Sequence, residues 1–66
     1  MKAIRDLING NLTDAKRAAK NRPTIQLIRA AQEEYGMSKD EAINAALYLK
    51  GEMSFQDYCD AKHASA

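Results

Sequence analysis

Lys16, Arg17, Lys20 and Arg22 crowd one short stretch of this 66-residue chain, and Arg29 follows one helix later. Cations gathered on one helix face can hold phosphates or carboxylates, so this stretch is the first candidate for a contact surface. The plainer alternative is a solvated face that keeps the helix in water. No aromatic residue interleaves with these cations, and no Asn/Gln/Arg set sits on an obvious recognition helix. A macromolecular partner is therefore expected, a protein before a nucleic acid.

Other residue types offer less chemistry. Cys59 and His63 lie four apart and would share a helix face, as zinc ligands can, but no second Cys/His pair completes a tetrahedral set. The reading preferred for Cys59 is a small buried hydrophobe beside Phe55. The single His has no nucleophile and orienting acid at a workable spacing, and no Gly-rich phosphate loop is present. A chain this short also has little volume with which to enclose a substrate pocket of ~300 Å³. The expectation is a non-catalytic protein with no cofactor and no metal.

Tyr48 is the remaining site candidate. Helical phase puts it on the polar side of its segment with Asp40 and Asn44, and exposed tyrosines are enriched at interfaces. The alternative is a rim tyrosine lying over a neighbouring helix. The expected partner-binding set is thus Lys16, Arg17, Lys20, Arg22, Arg29 and Tyr48.

The formal charge of +1 conceals a polarity. Residues 1–29 carry seven of the ten Lys/Arg against Asp6 and Asp14, a sum of +5, whereas residues 30–66 sum to −4. Glu41 and Asp57 in the acidic half are explained as helix caps, and Asp40 suits a helix N-terminus. Glu33, Glu34, Glu52 and Asp60 have no such local role. A bipolar molecule can dock on a charged host surface or pack against copies of itself, so a homo-oligomer is a further possibility.

The elements that must position these groups are marked by their ends. Asn9-Gly10-Asn11 signals a turn, with Thr13 as the expected N-cap of the next helix. Asn21-Arg22-Pro23 is a second break. Gly36 is expected as a left-handed C-cap. Ser38-Lys39-Asp40-Glu41 forms a capping box, and Ser54-Phe55-Gln56-Asp57 opens a last helix with Met53 and Tyr58 spaced as a hydrophobic staple. Helices are predicted at about 2–9, 14–21, 24–35, 39–50 and 55–63, with fraying over 63–66.

Their apolar faces follow at 100° per residue. The first helix groups Ile4, Leu7 and Ile8 opposite Lys2, Arg5 and Asp6. Ala15, Ala18 and Ala19 form a thin stripe on the second. Ile25, Leu27, Ile28, Ala31 and Tyr35 make a wide stripe on the third. The fourth is apolar over more than half its circumference, which marks it as the central helix and Leu47 as a core anchor. Valine is absent and threonine occurs twice, so sheet is not expected. The fold class is all-α: one compact bundle of four to five short helices.

Composition bounds stability and setting. Twelve of the thirty apolar residues are alanine, so the core is expected to supply ~3–5 kcal/mol. No stretch approaches the ~20 apolar residues of a membrane span. One cysteine forms no internal disulfide and fits a reducing, cytoplasmic setting.

Two resemblances accompany these readings. Gly36-Met37-Ser38 followed by KDEAINAAL looks like the second helix of ribbon-helix-helix repressors, with Thr24-Ile25-Gln26-Leu27 imitating the preceding strand. Only eight residues separate Leu27 from Gly36, about a turn too few for that family's loop and first helix. LTDAKRAAKN (12–21) and LYLKGEMSFQDYCDA (47–61) resemble small helical proteins of unassigned role encoded by bacteriophages and prophages. That resemblance implies a cytosolic protein that binds and blocks or redirects a host protein. Its alternative is a small DNA-binding regulator using the basic segment 14–29.

Overall fold

Ser38 and Ser54 start two of the helices as their side chains require. In a computed structural model, which describes residues 1–64, Ser38 Oγ accepts from Glu41 N at 3.2 Å and Ser54 Oγ from Asp57 N at 3.1 Å. Five helices result: α1 (Lys2–Ile8), α2 (Leu12–Ala19), α3 (Thr24–Tyr35), α4 (Lys39–Leu49) and α5 (Phe55–Ala64). The described residues contain no strand, and the fold is an all-α bundle.

The helix ends also obey local chemistry. Glu52 N donates to Leu47 O at 2.9 Å and Gly51 N to Tyr48 O at 3.1 Å, closing α4 with a paired Schellman turn. That turn needs a left-handed residue, and Gly51 supplies it at φ 79°. Gly36 caps α3 in the same conformation at φ 66°, as its sequence position predicts. α2 departs from expectation by starting two residues early. Its N-cap is Asn11, whose carbonyl accepts from Ala15 N at 2.9 Å, so Thr13 lies inside the first turn. Asn11 is already fixed by its own N–H bond to Asp6 O at 2.8 Å, which brings the chain out of the α1 turn ready to coil. His63 and Ala64 belong to α5 instead of fraying, while residues 65 and 66 lie outside the described residues.

α4 is the central helix: it packs against α2, α3 and α5, while α1 packs on α2 and α3. Small residues dominate the contacts. Ala15, Ala19, Ala31, Ala42, Ala45 and Ala46 are fully buried, which lets the helix backbones approach closely. The only large side chains that are wholly enclosed among the described residues are Ile4 and Leu27. Leu47 is half-buried and Leu49 takes the enclosed place instead. On α3 the buried face is Leu27, Ala30 and Ala31, the three- and four-residue spacing of one side. Ile25 sits roughly 200° from Leu27 and is exposed, and Tyr35, the last residue of α3, is exposed too.

Asp6, placed by helical phase on the outer face of α1, is buried beneath Lys2, which pairs with it one turn back. The α-amino group of Met1 pairs with Glu34, giving that carboxylate a structural role and tying α1 to the end of α3. The radius of gyration is 10.4 Å, close to the ~11 Å expected for a folded chain of this length.

A basic groove between α2 and the end of α4

The exposed face of α2 carries Lys16, Arg17 and Lys20 because Ala15 and Ala19 take its inner face. One turn separates Lys16 from Lys20, so both project along the same edge. The end of α4 comes up beside that edge, and the two enclose an open groove of about 640 Å³. Thr24, at the start of α3, and Glu52 complete its rim. Thus three of the expected cations are brought together as the sequence implies. Arg22 and Arg29 are exposed but stand outside the groove.

Lys50 is the fourth cation of the groove. Its Nζ donates to Ala19 O at 3.1 Å and Lys20 O at 3.4 Å. Those carbonyls lie at the C-terminus of α2, where a cation meets the negative end of the helix dipole, and Ala19 O accepts from Arg22 N at 3.0 Å as well. Lys50 therefore fastens α4 to α2 and fixes the width of the groove. Sequence reading missed it because its partners lie 31 and 30 residues away. Its position before Gly51 gives only the ordinary signal of a cation in a last helical turn.

Tyr48 requires a correction. It is 3% exposed, not presented on a polar face. Because α4 has neighbours on three sides, its buried arc extends past the alanine stripe to include Tyr48. The ring stacks on Tyr58 with centroids 5.2 Å apart and meets Phe55 at 5.6 Å. Lys16 Nζ lies 4.5 Å from the Tyr48 ring centroid. The tyrosine thus acts on the groove from beneath, holding one of its cations by attraction to the ring face.

The charges around the groove are mixed. Arg17 Nη1 stands 3.8 Å from Asp14 Oδ1, an exposed i,i+3 pair that leaves both groups mostly in water. Glu52 adds a carboxylate to the rim. Such a surface can receive carboxylates or phosphates between its cations, and it offers a donor-hungry acid where a continuous polyanion would be repelled.

A second concavity, of about 360 Å³, lies between the α1–α2 corner and α5. Cys59 lines it near Phe55 as expected, but as a half-buried thiol instead of an enclosed one. Burial raises the Tyr58 phenol above its ordinary value, and the carboxylate of Glu41 adds to the shift, followed by Cys59 and Tyr48. Both concavities exceed the volume expected of so short a chain, and both are clefts open to solvent. Among the described residues no three His, Cys, Asp or Glu side chains gather as metal ligands would. No helix among them is long and apolar enough to cross a membrane.

No family model, curated protein or solved structure matches this chain.

Proposed function

We propose that this chain is a non-catalytic binding module that engages an acidic surface of another protein through the groove between α2 and the end of α4. The observation that carries the reading is the convergence of Lys16, Arg17, Lys20 and Lys50 on one open groove. Two of these cations are held in place before any partner arrives, Lys16 over Tyr48 and Lys50 on the α2 carbonyls. Preorganised cations lose less freedom on binding, which favours affinity.

A protein partner is favoured over nucleic acid by the acids in the same surface. Glu52 on the rim and Asp14 beside Arg17 would face phosphates wherever a polyanionic strand crossed them. A protein surface of mixed charge can answer both signs. The resemblance to small phage-encoded helical proteins supports a role in modulating a host macromolecule within a reducing compartment.

The test is affinity capture from a host extract with the intact chain, compared with the Arg17→Glu/Lys20→Glu variant. These two side chains have fewer internal duties than Lys16 or Lys50. A specific protein retained after nuclease treatment, and bound at least tenfold more weakly by the variant (~1.4 kcal/mol), supports the reading. Unchanged affinity in the variant removes the groove as the site. Retention of duplex DNA alone, falling steeply with salt, would establish the DNA-binding alternative instead.

A further inference from the structure

The cleft between the α1–α2 corner and α5 is a different surface from the basic groove, and the two share no lining residue. Glu41, in the first turn of α4, lines the cleft, whereas Leu49 and Lys50 line the groove. Tyr48 lies between the two, against Phe55 and Tyr58 of the cleft and Lys16 of the groove. α5 packs chiefly on α4, and the cleft lies between α5 and α1. The gap that results is flanked by Ile8 and Phe55, which are 52% and 49% exposed. Leu7, Leu12 and Cys59 continue the apolar lining. Side chains as large as Ile8 and Phe55 standing half in water beside an apolar cleft leave apolar surface that association would cover.

The charges at the same cleft narrow the occupant. Glu41 and Lys62 both line it, and neither forms an ion pair among the described residues. One acid and one base give a neutral surface that complements itself. In a two-fold interface the same patch meets its copy, so residue i contacts j while j contacts i. Each acid is then available to the base of the other subunit, and each protruding Ile8 or Phe55 to the other subunit's cleft.

We propose that this cleft is the site at which a second copy of the chain docks, forming a two-fold dimer around Ile8 and Phe55 with Glu41 and Lys62 pairing across it. The dimer carries two basic grooves, each left open because no groove residue belongs to the interface. Two grooves on one particle bind a partner with repeated acidic sites more tightly than either does alone. The dimer itself does not depend on the function proposed for the groove.

Sedimentation velocity of the isolated chain over about 1 μM to 1 mM, a range that brackets weak and moderate self-association, tests the proposal. The expected result is a concentration-dependent rise from the 7.3 kDa monomer to twice that mass. Ile8→Lys and Phe55→Glu should each abolish the rise. Their new charges suit the α1 C-terminus and the α5 N-terminus, so helical circular dichroism should be retained. Glu41→Lys and Lys62→Glu should each weaken dimerisation at least tenfold, and their combination should restore it. A monomer at every concentration overturns the proposal, as does a dimer indifferent to Ile8→Lys and Phe55→Glu, or a combined reversal that does not restore association. A monomer that loses capture of some other protein through Phe55→Glu would assign the cleft to that protein and overturn self-docking. Because no partner is present in the measurement, its failure leaves the basic-groove reading standing.

Discussion

Lys16 Nζ lies 4.5 Å from the centroid of the Tyr48 ring, joining an exposed cation of α2 to a buried aromatic of α4. The ring is in turn stacked on Tyr58. One side chain of the proposed contact surface is therefore positioned by the core of the bundle. Removing Tyr48 should disturb both stability and the groove. Tyr48→Ala is expected to cost about 3–5 kcal/mol in urea denaturation, the range for deleting a buried aromatic. Tyr48→Phe keeps the ring face and should stay within about 1 kcal/mol. A loss below about 0.5 kcal/mol for Tyr48→Ala would describe a surface residue and contradict the packing.

Lys50 makes the second link between α2 and α4, through carbonyls at the end of α2. Lys50→Met preserves much of the stem and removes the charge and the donor. A loss of about 0.5–1.5 kcal/mol is expected for a partly exposed bond of this kind, read as a lower melting temperature by roughly 4–8 °C per kcal/mol in a domain of this size. If the melting temperature does not move, Lys50 is not fastening the helices.

Leu27 and Ile4 are the large side chains wholly enclosed by the bundle, whereas Leu47 is half-buried. Leu27→Ala should therefore cost about 2–5 kcal/mol, enough to unfold much of so small a domain. Leu47→Ala should cost visibly less in the same chemical denaturation series. The reverse order would show that α4 is turned the other way.

Tyr58 supplies a pH signature. Burial, with help from the carboxylate of Glu41, raises its phenol above the ordinary 10.0. The folded chain thus keeps this proton where the unfolded chain releases it. Stability from this group is intact below pH 10.0 and falls as the pH climbs from there toward the raised folded value. Tyr58→Phe should flatten that alkaline decline in urea midpoints measured between about pH 9 and 11, because phenylalanine has no proton to lose. An identical decline in the variant would place the titration elsewhere.

Helix by helix, the sequence by itself determined where coiling starts and stops. Ser38, Ser54, Gly36 and Gly51 act through bonds spanning a few residues, so their effects can be read along the chain. The alanine stripe of α2 likewise settled which side of that helix turns inward, and with it that Lys16, Arg17 and Lys20 face out. The early start of α2 was less legible, since Asn11 is committed by a bond back to Asp6 and not by its own side chain.

Only the tertiary structure decided what each face meets. Asp6 and Tyr48 are buried against their helical phase, and Ile25 and Phe55 are exposed despite being apolar. Lys50 reaches α2 across 31 residues of chain. Phase gives a direction around one helix, but burial depends on how many other helices arrive there. α4 receives three neighbours and α5 packs chiefly on one, so the same kind of aromatic residue is enclosed at Tyr48 and half-exposed at Phe55.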